Sequence, residues 1–279
     1  MLEGTEGTTL MDKAKLAEMI KNNPNAIAHL EHPSDELKLL ALRKNGLALQ
    51  YIQAPTRAMQ EAAIENNARA IQYIDNPTEA MLIKAVNAGW NNLAYIRNPS
   101  IELSKLALQQ AGWAIKYVTN PSEELQLLAV RKNFDAIKFI KNPFETVQEE
   151  AVRISYDALR YIKDPARTAE LIAIKNDERA IRLINSLDKN KLLEFVKANI
   201  LVLKYCRTDI EISKDELNQA VREVLAKEAV EEKYVRDYLN CNMCDTNSGV
   251  ISMDKLQFIY RYGSKKAKKI AVDEKLKLK

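Results

Sequence analysis

Apolar and polar residues recur with a period of 22 residues through the middle of this chain. Proline marks the period, at Pro33, Pro55, Pro77, Pro99, Pro121, Pro143 and Pro165. Alanine always stands eight residues after the proline, at Ala41, Ala63, Ala85, Ala107, Ala129, Ala151 and Ala173. A fixed period of this length is typical of solenoids, in which stacked units of secondary structure share one continuous core.

The apolar positions of each unit predict two helices. Residues three and four apart share one face of a helix, and the apolar residues around each alanine have this spacing. A second alanine and an apolar residue follow later in the unit, for example Ala136 and Ile137 after Pro121. They predict a second, shorter helix that is partly 3₁₀. Because alanine is small, it lets neighbouring helices approach closely, and we expect both alanine columns in the core.

Capping residues indicate where the helices begin and end. Asn or Asp precedes most of the prolines and is expected to cap the first helix, with proline at its first position. Glu79, Glu123 and Glu145 stand where a capping box requires an acidic residue. Asn or Gly near the twelfth position, such as Asn45 and Gly89, predicts a left-handed residue that ends the first helix.

Aromatic residues form a further column near the end of the second helix. Its members are Tyr51, Tyr73, Tyr95, Tyr117, Phe139 and Tyr161. We interpret this column as core filler between repeats, in preference to a surface on which a ligand stacks.

The repeat extends beyond the prolines, because residues 11–32 and 187–208 fit the same frame. We therefore predict an all-α fold, a right-handed α-solenoid of about nine 22-residue two-helix repeats plus a small helical C-terminal region. The predicted divisions are a disordered N-terminus or non-native leader before Met11 (1–10), the solenoid (11–208), the C-terminal helical region (209–263) and a basic, frayed tail (264–279).

The unit resembles the NP-x-E-x-x-L-x-x-x-A-V…N…A-I-x-Y-I helical repeats of bacterial, phage and giant-virus proteins, a family of unknown function. The segment from Asn120 to Ile140 carries this pattern most fully. The unit is more distantly similar to leucine-rich-variant repeats, which alternate an α-helix with a 3₁₀ helix. The resemblance covers residues 11–208 and implies an architecture; it brings no catalytic motif.

Charge, cysteine content and apolar run lengths indicate where the positive charge lies and in which setting the protein is expected. The net charge is +4, yet residues 255–279 carry nine Lys or Arg against Asp273 and Glu274, so the rest of the chain is net negative. Three cysteines make no disulfide framework, which favours a reducing, cytoplasmic setting. No apolar run reaches the ~20 residues of a membrane span, and the N-terminus has no secretory pattern, so we expect no membrane association.

Motifs for catalysis and metal binding are missing from the sequence. It has no phosphate-binding glycine loop, zinc-protease helix or nucleophile elbow. Cys241 and Cys244 form a C-x-x-C, but a structural zinc site needs two more Cys or His ligands. His29 and His32 are distant in sequence, and Cys206 by itself cannot complete the set. We expect a turn that holds two thiols. We also expect no catalytic residue, no cofactor, no metal and no enzymatic activity.

Basic residues on the second helix are the candidate partner-binding residues, because they point away from its apolar face. They become frequent from the fourth repeat onward: Lys116, Lys138, Lys141, Arg160, Lys163 and Arg182. Such a stripe binds phosphates or an acidic protein, or it is a solvated face balanced by acids elsewhere. Trp90 and Trp113, at the turn between helices, are candidates for an interface hot spot or for turn packing.

These features favour a non-enzymatic scaffold that binds a protein partner. The family resemblance implies a phage or mobile-element interaction factor directed at a host protein. The alternative is a nucleic-acid-binding solenoid that uses the basic columns and the lysine-rich tail. Against it stand the net negative charge outside residues 255–279 and the lack of a repeated base-contacting set. No sequence feature sets an oligomeric state.

Overall fold

The protein is an all-α repeat solenoid. Its computed structural model describes residues 4–205, 210–244 and 254–277, and these contain helices but no strands. The chain forms two compact units, Met1–Ile140 and Lys141–Lys279. Each repeat is one α-helix followed by one 3₁₀ helix of six residues, and the described residues hold nine such pairs, six in the first unit and three in the second. The prediction of about nine two-helix repeats is confirmed, and the second helix is 3₁₀ throughout.

Helix bounds follow the 22-residue period closely. The α-helices of the repeats are α1 (Gly4–Asn22), α2 (Asp35–Lys44), α3 (Arg57–Asn66), α4 (Glu79–Ala88), α5 (Ile101–Gln110), α6 (Glu123–Lys132), α7 (Glu145–Ile154), α8 (Arg167–Asn176) and α9 (Lys189–Ala198). The 3₁₀ helices are η1 (Pro24–His29), η2 (Gly46–Tyr51), η3 (Ala68–Tyr73), η4 (Trp90–Tyr95), η5 (Gly112–Tyr117), η6 (Phe134–Phe139), η7 (Tyr156–Tyr161), η8 (Glu178–Leu183) and η9 (Ile200–Tyr205).

Within each unit the α-helices pack on one another in one layer and the 3₁₀ helices in another. The alanines eight residues after each proline are fully buried between the layers, as predicted. The second alanine column is also fully buried, except where Asn92 replaces alanine. Asn92 remains buried because its Nδ2 donates to the carbonyl oxygen of Ala85 at 2.9 Å.

The cap of the first helix differs from the prediction. The N-cap is the residue after proline, as at Ser34, Thr78 and Ser122, and its hydroxyl accepts from the backbone N–H three residues later. The predicted cap before proline is therefore wrong, and Glu79 lies at the first helical position rather than in a capping box. Phe144 and Ala166 occupy the same cap position in their repeats without a side-chain hydrogen bond, so the helix begins two residues after proline whether or not a hydroxyl caps it.

Residues before proline have a different role in some repeats. Ala54, Asn98 and Asn120 have φ angles of 45°, 48° and 48°, in the left-handed region. Asn tolerates this region better than other residues with a Cβ, which explains two of the three positions. The left-handed residue thus precedes the proline. It does not lie at the end of the first helix, where it was predicted.

The helix-ending residues are extended. Asn45 has a φ of −145°, and its Oδ1 accepts from the backbone N–H of Leu47 at 3.1 Å, so its side chain caps η2. The prediction of a left-handed residue is wrong here, because Asn is selected for its side-chain acceptor.

Two glycines mark close contacts between repeats. A Cβ on Gly46 would lie 2.1 Å from the carbonyl oxygen of Ala63, and one on Gly112 would lie 2.1 Å from that of Ala129. Any side chain there would overlap the backbone of the next repeat.

Both ends of the chain differ from the expected divisions. Helix α1 includes residues 4–10, which had been predicted to be disordered. A helix that has formed its first turn adds residues at little further entropic cost, so weak helix formers join it. The C-terminal region contains α10 (Lys214–Leu225), α11 (Glu232–Asn240), η10 (Asn242–Cys244), α12 (Lys255–Tyr262) and α13 (Lys265–Lys277).

The expected frayed tail is helix α13, and it packs against α11 and α12. Ala267, Ile270 and Ala271 are buried, and Glu274 forms an ion pair with Arg236 of α11. The prediction of an unpacked tail is wrong because the lysines conceal a short apolar stripe with helical spacing.

Candidate functional site on the 3₁₀ face

The candidate site lies on the layer of 3₁₀ helices. Each of these helices buries a residue of the second column, which is alanine except at Asn92 and Val202, together with the aliphatic residue that follows it, so the next residue projects outward. That position holds Lys116 on η5 and Lys138 on η6 in the first unit, and both are exposed. Fixed 22-residue spacing puts them in one column on neighbouring helices.

Aromatic rings surround the ammonium group of Lys116. Its Nζ lies 4.7 Å from the ring centroid of Tyr117, 5.4 Å from that of Trp90 and 5.7 Å from that of Phe139. The Trp90 centroid is 6.4 Å from that of Trp113 and 6.3 Å from that of Tyr117. The cation–π contacts and tilted ring pairs hold these side chains together without removing them from the surface. We call Trp90, Trp113, Lys116, Tyr117 and Phe139 the Trp–Lys cluster.

An acidic residue fixes the cluster. Asp135 accepts from Nε1 of Trp113 at 2.8 Å and from Nζ of Lys138 at 2.6 Å. Burial by itself would raise the pKa of Asp135, but the hydrogen bonds from Lys138 and Trp113 outweigh burial and lower the pKa below its ordinary value. Asp135 is therefore a carboxylate at neutral pH, and it holds the indole in one orientation.

The aromatic column lies nearer the surface than predicted. Tyr51 is 44% exposed, Phe139 39% and Tyr161 42%. The core-filler interpretation is wrong for these three, because the following isoleucine, such as Ile52 or Ile140, is the residue that fills the core. These three aromatic rings lie at the surface instead.

The second unit carries the other predicted basic residues. Lys141, Arg160, Lys163 and Arg182 are all exposed. A hydrogen bond and the charge of Asp157, whose Oδ1 lies 2.8 Å from Nε of Arg160, raise the pKa of Arg160 above its ordinary value. The guanidinium carbon of Arg182 lies 4.3 Å from the ring centroid of Tyr205, so the neighbouring repeat orients this side chain.

Sequence reasoning named the two tryptophans and the two lysines but missed Tyr117, Phe139 and Asp135 as their partners. The signal was present, because Trp113 and Asp135 are 22 residues apart and so occupy the same position in adjacent repeats. Side chains at one position of adjacent repeats are neighbours in a solenoid.

The C-x-x-C lies in a buried turn. Cys241 and Cys244 are both buried, and a hydrogen bond with Cys244 lowers the pKa of Cys241 to about 7 against the effect of burial. Cys206 lies outside the described residues. No group of three or more His, Cys, Asp or Glu side chains in the described part of the chain has an arrangement that would hold a metal ion.

Comparison of the chain with protein-family models, with curated proteins and with solved structures found no match. Across the described helices, none combines the length and the apolar character that crossing a bilayer requires. The fold and the face described above define the class, which is an α-solenoid of α/3₁₀ repeats with aromatic and basic side chains on its 3₁₀ layer.

Proposed function

We propose that this protein is a non-enzymatic scaffold whose 3₁₀ face binds an acidic segment of a protein partner. The Trp–Lys cluster is the observation that carries the proposal. It combines large aromatic area with positive charge at one surface point, and Trp and Tyr are among the side chains enriched at interface hot spots.

The cluster is suited to binding because its geometry exists before a partner arrives. Trp113 is held by Asp135, and Lys116 is held by three rings. A side chain that is already ordered loses little entropy on association, which saves about 0.5–1.5 kcal/mol for each one. A carboxylate of the partner is attracted by the positive charge of Lys116 when it lies beside that side chain. Apolar groups of the partner cover the exposed indole of Trp113.

The basic residues of the second unit form a further surface that attracts acidic groups of a partner. Arg160, Lys163 and Arg182 are exposed on η7 and η8 or directly after them. Their charges raise the association rate with an acidic partner and make it dependent on salt. The repeat resemblance extends the proposal to a cytoplasmic, phage or mobile-element factor directed at a host protein.

A peptide-display selection tests the proposal. Random peptides are selected on the wild-type protein alone, and the selected peptides are then measured on Lys116→Glu, which reverses the central charge on an exposed side chain. We expect enrichment of peptides that combine Asp or Glu with an apolar anchor. Their dissociation constants should rise by about tenfold or more on Lys116→Glu, since each opposed charge pair contributes on the order of 1.5 kcal/mol.

Lys132→Glu is the matched control, because Lys132 is an exposed lysine on α6, in the other layer. It should leave peptide affinity unchanged. Selected peptides that bind wild type and Lys116→Glu equally would contradict the proposal. A single-stranded oligonucleotide that binds more tightly than any peptide, and weakens steeply between about 50 and 200 mM salt, would establish the nucleic-acid alternative instead.

A further inference from the structure

The C-terminal helices α12 and α13 enclose an apolar groove of about 340 Å³. Leu256, Ile259 and Tyr260 line it from α12, and Ala271 and Val272 line it from α13. Ile259 and Ala271 are buried and form the floor. Tyr260 is 78% exposed and Val272 58% exposed, so the walls project into solvent.

Helix α13 carries two apolar stripes. Ala267 and Ile270 belong to the stripe that packs in the core beside α11. The other stripe is formed by the exposed Val272 and Leu276, which are four residues apart, and Val272 lines the groove. A helix with one buried and one exposed apolar stripe has room for a further helix, because amphipathic helices bury such stripes against neighbours.

Positive charge borders the groove. Lys268 and Lys275 line it, and Nζ of Lys268 lies 5.7 Å from the ring centroid of Tyr260. Lys265, Lys266 and Lys269 are exposed on the same helix. Helix α13 has two acids, Asp273 and Glu274; neither lines the groove, and Glu274 is paired with Arg236. The field over the groove is therefore positive, and an acidic occupant is electrostatically complementary.

We infer that this groove is a second docking site, which binds an acidic amphipathic helix of a protein partner. The partner's apolar stripe would fill the space between Tyr260 and Val272. Lys268 and Lys275 are seven residues apart on one helical face, about 10 Å along the axis. Acidic residues spaced seven apart on the partner helix match them. The site uses neither the 3₁₀ face nor the Trp–Lys cluster, so it goes beyond the function proposed above.

The shape of the groove favours a helix over a lipid surface. A groove with a buried floor and projecting walls accepts a cylinder, whereas an interfacial helix presents an outward-facing apolar surface to lipid. A helix that binds in such a groove contacts it through apolar residues at positions i, i+3, i+4 and i+7.

Fluorescence anisotropy with the full chain tests the inference. The probe is a labelled helical peptide with leucines at i, i+3, i+4 and i+7, flanked by glutamates seven apart. Its matched control has lysines in place of the glutamates. We expect the glutamate peptide to bind at least about tenfold more tightly than the lysine peptide, because the latter places like charges beside Lys268 and Lys275.

Variants localise the binding. Val272→Glu should weaken the glutamate peptide by about tenfold or more, and Ile154→Glu, at another exposed apolar side chain, should not. The double variant Lys268→Glu with Lys275→Glu should reverse the preference toward the lysine peptide. Val272, Lys268 and Lys275 are exposed, and circular dichroism melts check that all variants remain folded.

Three results would overturn the inference. The first is equal affinity for the two peptides. The second is tighter binding to anionic lipid vesicles than to the glutamate peptide, with the vesicle binding abolished by Val272→Glu, which would assign the groove to a membrane. The third is a dimer, detected by light scattering, that dissociates on Val272→Glu and so assigns the groove to a second copy of the chain.

Discussion

The indole Nε1 of Trp113 donates a hydrogen bond to Oδ1 of Asp135 at 2.8 Å, and the two residues hold the same position in adjacent repeats. The bond therefore joins η5 to η6 across the surface of the 3₁₀ layer. Because Asp135 also accepts from Lys138, one carboxylate orients an aromatic ring and a cation of the candidate site.

Replacing Trp113 with phenylalanine keeps an aromatic ring but removes this donor. We expect Trp113→Phe to lower the free energy of unfolding by about 1–2 kcal/mol, because hydrogen bonds to charged groups contribute about 1.5–3 kcal/mol and this one is exposed. Urea denaturation followed by circular dichroism measures it. In a background of Asp135→Asn the same substitution should cost clearly less, because the charged acceptor is already gone; an undiminished cost would mean that the bond contributes nothing.

The stability that Asp135 contributes should depend on pH. Its folded-state pKa lies below the ordinary 3.8, so the carboxylate stabilises the fold at pH values above about 4. The contribution is lost as the pH falls through the folded-state pKa. The difference in unfolding free energy between wild type and Asp135→Asn should therefore be constant near neutral pH and shrink below about pH 4. A difference that grows on acidification would contradict this assignment.

Gly112→Ala should be strongly destabilising. The new Cβ would lie 2.1 Å from the carbonyl oxygen of Ala129, a backbone atom that moves only if the two repeats separate. We expect a loss of about 3 kcal/mol, at the upper end of overpacking costs. Gly89→Ala is the control, because its nearest contact is the side-chain Oδ1 of Asn91 at 2.8 Å, which can rotate away. It should change stability by less than about 1 kcal/mol.

Ala54→Asn should stabilise the protein. Ala54 has a φ of 45°, where a residue with a Cβ is strained by about 1–2 kcal/mol and Asn is better tolerated. We expect a gain of about 0.5–1 kcal/mol in thermal or urea unfolding. Asn98→Ala should lose a similar amount, whereas Asn76→Ala should lose less, since Asn76 precedes Pro77 without a positive φ. Equal losses at Asn98 and Asn76 would disprove the backbone explanation.

Deleting residues 264–279 should destabilise the second unit. The deletion removes the buried Ala267, Ile270 and Ala271 and one of the two carboxylate partners of Arg236, Glu274. Burial of one isoleucine contributes about 1.5–3 kcal/mol, so we expect a loss of about 3 kcal/mol or more. Replacing Lys265, Lys266 and Lys269 together with glutamine removes exposed charges only and should stay within about 0.5 kcal/mol per site. Unchanged melting after the deletion would restore the frayed-tail interpretation.

The sequence alone determined the period, the two-helix repeat and both alanine columns. Ala129 and Ala136 were assigned to the core from their spacing, and both are fully buried. These features depend on contacts within a repeat and between neighbouring repeats. Because the period is fixed at 22 residues, the residues that make those contacts recur at the same positions of each repeat.

Tertiary structure alone decided the surface and the ends. Ser122, after Pro121, supplies the cap that sequence reasoning had given to the residue before proline, because two adjacent residues both suited the role. Lys116 meets Trp90, Tyr117 and Phe139 only when three successive 3₁₀ helices are stacked. Helix α13 has too weak an apolar stripe to be identified without α11. The cap depends on which of two neighbouring residues the backbone places before the first turn. The contacts of Lys116 and of α13 depend on distances between different elements, which hydrophobic periodicity along the chain does not contain.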